Sequence, residues 1–91
     1  MTYTYDQVLA YEVARELINS HIADCSAAMA DEEAKAEASA DRLAEIRRRQ
    51  TGLVSEREEL DMTDDAAVSL VVAKYRRIPA SSEAPPTFQW Q

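Results

Sequence analysis

Several pairs of side chains in this chain have the spacing that chemistry would need. His21 and Cys25 stand at i, i+4, and so do Glu12 and Glu16. An imidazole one helical turn from a thiol is the minimum for a base and its nucleophile. Such a pair also needs a lowered thiol pKa and an oxyanion site. No glycine-rich loop or helix N-terminus lies near Cys25 in sequence to supply them. Cys25 shares its phase with Ile22 and Met29, which points to a small buried hydrophobe. His21 is expected beside Leu17, partly exposed at the edge of that stripe.

The carboxylates fare no better as a metal site. Helical carboxylate centres couple Glu to a His at helical spacing. His21 is the only histidine, and no Glu-x-x-His run contains it. One glycine in the whole chain cannot build a phosphate-cradling loop. Arg47, Arg48 and Arg49 could touch a phosphate, but acids flank them, and pairing with Glu45 or solvation is the simpler expectation. The chain is therefore expected not to be an enzyme and to hold no cofactor and no metal.

What would position these residues is helix. The chain has one Gly and three Pro, too few turn residues for a sheet protein of 91 residues. Thr4-Tyr5-Asp6-Gln7 is a capping box, with Tyr3 and Val8 placed for a hydrophobic staple. Apolar residues then recur at Val8, Tyr11, Ile18, Ile22, Cys25 and Met29, with Arg15 in a seam position and Ala10, Ala14 and Leu17 widening the stripe. Residues 30–41 favour helix but offer little to bury. Asp31, followed by Glu32 and Glu33, is the best cap for a second helix, which puts a chain reversal near 29–33. One helix running on to about Gln50 is the alternative.

The second helix carries Ser39, Leu43, Ile46, Gln50, Leu53, Arg57 and Leu60 in heptad steps that pass through Gly52 unbroken. Arg47–Arg49 before Thr51-Gly52 could instead mark a helix end. Met62-Thr63-Asp64-Asp65 signals a third start with Thr63 as cap. Val68, Val71, Val72, Tyr75 and Ile78 line that helix, and Pro79 ends it. The expectation is an all-α fold: a small helical bundle built on a long antiparallel helical hairpin plus a shorter third helix. The helices cover about 4–29, 32–60 and 64–78 of a domain at 1–78. Residues 79–91 are expected to be an extended or disordered tail, with Phe88 and Trp90 either docked on something or exposed.

Composition narrows the class of function. The net charge of −7 lies wholly in residues 1–46, which hold ten acids against Arg15, Lys35 and Arg42; residues 47–91 balance seven acids with seven bases. An acidic first half repels phosphate backbones, so nucleic acid is not the expected partner, whereas a basic protein surface is. No apolar run long enough to span a membrane occurs. A lone cysteine and a start without a basic region and apolar block suggest a cytoplasmic protein. Three kinds of protein binder fit: a dedicated inhibitor, a self-assembling helical adaptor, or a small chaperone.

Thr4-Tyr5-Asp6-Gln7 followed by Leu9-Ala10-Tyr11-Glu12-Val13 and a long helix resembles the start of epsilon-type antitoxins, small acidic three-helix proteins encoded beside zeta toxins. Leu53-x-x-Glu56-Arg57-x-x-Leu60 and Thr63-Asp64-Asp65-Ala66-Ala67-Val68, ending near Tyr75, resemble proteins of zeta-like toxin operons. The likeness covers roughly residues 3–78, apart from 30–41, and leaves out the aromatic tail. It implies a P-loop kinase toxin as partner, acting in the classical family on UDP-N-acetylglucosamine. It further implies neutralisation by the N-terminal helix laid over the nucleotide site. On that reading Tyr5, Asp6, Leu9, Glu12, Val13 and Glu16 form the contact surface, with Glu12 or Glu16 meeting an Arg or Lys that otherwise binds ATP phosphates. The alternative for Leu9, Val13 and Glu16 is an ordinary second stripe covered by the third helix. A symmetric dimer through Val8, Ile18, Ile22 and Met29 is what the adaptor reading predicts, and a homo- or hetero-oligomer is open on either.

Overall fold

The computed structural model describes residues 3–77. They form three helices and no strand: α1 (Tyr5–Glu33), α2 (Ala40–Glu59) and α3 (Asp65–Arg77). No helix among the described residues is long and apolar enough to cross a membrane. The expected tail at 79–91, and Ile78 with it, lies outside the described residues.

α1 starts where its capping box requires. Thr4 Oγ1 accepts the Gln7 N–H at 3.1 Å, and the Gln7 side chain returns to the Thr4 N–H at 2.7 Å. Two donors that a helix start leaves orphaned are thereby satisfied. The far end departs from expectation. Asp31 is not a cap but lies within α1, which runs on to Glu33. Nothing between Ala27 and Ala36 opposes helix, and a chain of good helix formers continues until an outside partner stops it.

That partner is the next helix start. Ser39 caps α2, its Oγ accepting the Arg42 N–H at 3.1 Å. Its own N–H donates to Glu32 Oε2 at 2.9 Å. α1 and α2 are thus separated by residues 34–39 and not by a break at 29–33, and no described residue there has a positive φ. A carboxylate takes the place of the turn glycine that sequence rules look for.

α2 passes straight through Gly52, so the arginine triplet does not end it. Of its expected heptad residues, Ile46 and Leu53 are buried and Leu43, Gln50 and Arg57 half-buried, while Ser39 is the exposed N-cap and Leu60, just past its end, is half-buried. At the third start the cap is Asp64 and not Thr63. Asp64 Oδ1 accepts the Ala67 N–H at 3.0 Å. Thr63 instead gives both its N–H (2.9 Å) and its hydroxyl (2.8 Å) to Asp61 Oδ1. Those two bonds stabilise the ionised carboxyl of Asp61 and hold its pKa below the ordinary value.

α1 is the central element, packing against both α2 and α3. Its fully inward residues are Ala14, Ile18, His21 and Cys25, and they meet Ile46 and Leu53 of α2 and Val68, Val71 and Tyr75 of α3. Tyr11, Ile22 and Met29 lie on the flank of this line, not at its centre. An α1 covered on two sides buries a wide arc, and small residues at Ala14 and Cys25 let the neighbours approach. Of the stripe through Val8, Ile18, Ile22 and Met29, Ile18 is wholly buried inside the single chain and the other three are half-buried.

Candidate functional site

The surface of α1 opposite this core is the part that sequence singled out for binding. Successive helical residues advance about 100°, so Tyr5, Asp6, Leu9, Glu12, Val13 and Glu16 share an arc of about 120°. Its centre lies about 150° from that of Ala14, Ile18, His21 and Cys25. All six side chains are exposed. Tyr5 keeps 75% of its surface accessible, Leu9 46% and Val13 37%. Single exposed apolar residues are ordinary, but three on one arc at i, i+4 spacing form a stripe. α3 does not cover it. Three carboxylates, from Asp6, Glu12 and Glu16, are interleaved with the stripe and extend it as an acidic, partly apolar ridge.

One edge of that ridge is the wall of a groove. α3 lies beside the N-terminal half of α1, joined at one end by Gln7 Nε2 donating to Asp65 Oδ1 at 2.9 Å. Near the other end the His21 and Tyr75 rings pack 5.0 Å apart. Between the helices run two adjoining hollows. One is lined by Asp6, Ala10, Asp65 and Val68, the other by Ala10, Val13, Val72, Ala73 and Arg76.

His21 does not sit where sequence placed it. It is 2% exposed, because Tyr75 of α3 closes over it. Its Nδ1 stands 3.5 Å from Arg49 Nη2, and its Nε2 has no partner among the described residues. Cys25 is likewise buried, as a small hydrophobe in the core cluster. A thiol walled in by Ile18, Ile46 and its neighbours offers no approach for a substrate. Among the described residues no group of three His, Cys, Asp or Glu side chains could hold a metal ion.

The arginine triplet is exposed, in line with solvation, and none of it pairs with Glu45 among the described residues. Glu45 is engaged by Arg42 at 3.4 Å instead, while Arg49 turns toward His21. Arg15, placed in the seam by periodicity, lays its guanidinium 5.9 Å from the Tyr11 ring centre. Its side chain is half-buried, as a long stem with a charged tip allows.

Two polar clusters escaped the sequence reading. Glu32 is buried at the α1–α2 connection, holding Ser39 and, at 2.9 Å, Lys35. The Ser39 N–H and then the Lys35 ammonium hold its carboxyl below the ordinary pKa. Glu56 of α2 accepts the Tyr75 hydroxyl and lies 3.4 Å from Lys74 Nζ. Burial, then the bond to Glu56, pushes the Tyr75 phenol pKa up. The Lys74 pKa is raised too, first through its interaction with Tyr75 and further by the charge of Glu56. An i, i+19 contact between helices has no local pattern, so only the paired placement of α2 and α3 on α1 reveals it. Both clusters tie helices together. Comparison with known protein families, with curated proteins and with solved structures gives no match to this chain.

Proposed function

We propose that this chain is a cytoplasmic protein inhibitor of the epsilon-antitoxin kind, acting by binding and not by catalysis. Its partner on this reading is a P-loop kinase toxin, whose nucleotide site the N-terminal half of α1 covers. The observation that carries the proposal is the uncovered arc of Tyr5, Asp6, Leu9, Glu12, Val13 and Glu16. It presents carboxylates and apolar side chains together on a helix whose other side is fully used by the core. A nucleotide site is lined by basic side chains that hold phosphates, and carboxylates on a preformed helix can occupy their donors.

The scaffold behind this surface is best read as an antiparallel hairpin of α1 and α2. Partners on α2 fall in number as those on α1 rise: Arg57 with Asn19, Gln50 with Ile22 and Ser26, Ser39 with Glu32. α3 then braces the N-terminal half of α1 and keeps the acidic arc straight. Rigid presentation lowers the ordering cost of binding.

Co-expression with a zeta-type kinase encoded beside this chain tests the reading. Growth is expected to be restored and the two chains to co-purify through size exclusion. A kinase that stays lethal, with no complex formed, overturns it.

A further inference from the structure

The groove between α1 and α3 has a polarity that the outward arc does not. Its two hollows share Ala10, Val68 and Ser69, so they form one continuous trough with Val68 as its buried floor. Asp6 and Asp65 stand at one end, and Arg76 stands at the other. Asp65 and Arg76 lie about three turns, ~16 Å, apart along α3. The walls between them are Val13, Val72 and Ala73, half or fully exposed and apolar. Asp6 and Val13 belong both to this trough and to the outward arc of α1. Anything seated on the arc therefore abuts the trough.

We propose that this trough receives an amphipathic helix of the partner protein, about three turns long, lying parallel to α3. Its N-terminus sits at Asp6 and Asp65, and its C-terminus sits at Arg76. The orientation follows from charge. A helix carries partial positive charge at its N-terminus and partial negative charge at its C-terminus, and the trough offers carboxylates to the first and a guanidinium to the second. The apolar walls call for a ridge of aliphatic side chains at i, i+3 and i+7, the usual anchors of a helix in a groove. Basic residues in the first turn of the incoming helix and acidic ones in its last complete the match. The inference rests on the reading of this chain as a protein binder, and it adds α3 to the binding surface.

The test uses the full chain and a helix-stapled peptide of about three turns. The peptide has leucines at i, i+3 and i+7, two lysines in the first turn and two glutamates in the last. A second peptide exchanges the lysines and glutamates. Backbone amide shifts are expected at Ala10, Val13, Ser69 and Ala73, with the charge-exchanged peptide at least about tenfold weaker. Ala73→Arg fills the trough from an exposed position, so it should leave helicity and melting unchanged while weakening the peptide about tenfold. Equal affinity for both peptides, or shifts confined to other surfaces, overturns the proposal. So does binding that appears only when residues 78–91 are removed, since the occupant is then the chain's own C-terminal segment. Concentration-dependent shifts without peptide would assign the trough to a second copy and overturn it as well. The Glu12→Lys/Glu16→Lys double variant separates this inference from the proposed function. It spares the trough, so peptide binding persists even where toxin neutralisation is lost.

Discussion

Glu32, in the last turn of α1, accepts the backbone N–H of Ser39, the residue that caps α2, at 2.9 Å. One carboxylate thus ends one helix and begins the next. Its pKa is held below the ordinary 4.5 by the Ser39 N–H and then by Lys35. A depressed carboxyl pKa adds stability that is fully present above the unfolded-state value and lost as pH falls through the folded-state value. The melting temperature of the wild-type chain should therefore drop as pH falls below about 4.5. Glu32→Gln should melt lower at neutral pH and show a flatter dependence in that acid window. Parallel pH profiles for the two proteins would show that the bond does not stabilise the fold.

Gly52 lies inside α2, exposed, and a Cβ placed on it meets no atom within 4 Å. Its backbone is helical and its φ is not positive. Gly52→Ala should stabilise the chain by about 1 kcal/mol, since alanine loses less backbone freedom in a helix. The urea midpoint should rise with the m-value unchanged.

Ile18 has no exposed surface, whereas Leu70 keeps 70% of its own. Ile18→Ala should cost about 2–5 kcal/mol through lost burial and the cavity left behind. A domain of this size has little stability to spare, so much of the population should unfold at room temperature. Leu70→Ala should stay within about 0.5 kcal/mol of the wild type. Chemical denaturation followed by circular dichroism compares the two.

Tyr75 joins α3 to both other helices, through its ring on His21 and its hydroxyl on Glu56. Tyr75→Phe keeps the ring contact and removes the hydroxyl bond, for a loss of about 1 kcal/mol. The phenol pKa is raised by burial and by Glu56, so its contribution is complete below 10.0, the ordinary value, and is lost as pH rises through the folded-state value. In an ultraviolet pH titration of the folded protein, the variant should lack the last tyrosine to ionise.

Glu12 and Glu16 are exposed on the arc opposite the core and take part in no ion pair among the described residues. Glu12→Lys with Glu16→Lys should leave helicity and melting near those of the wild type, while weakening a kinase complex at least about tenfold by reversing the charge at its edge. Unchanged affinity would take both residues out of the site.

Local rules carried the reading far. Helix content, the capping box at Thr4, the inward heptads of α2 and the passage of α2 through Gly52 all follow from spacing of 3.6 residues per turn and from cap chemistry within four residues. The same spacing sets the acidic ridge on one arc of α1, because which residues share a face depends on helical period alone. What local pattern could not supply was contact between helices. The break between α1 and α2 lies not at 29–33 but at 34–39, where Glu32 reaches Ser39 across a connection without glycine or proline. His21 went from the edge to the interior because Tyr75, far away in the chain, closes over it. The groove beside Val13 exists only because α3 docks along α1 without filling the space between Ala10 and Ala73. Burial is a property of pairs of elements, and period alone says which side of a helix is apolar, not what comes to cover it.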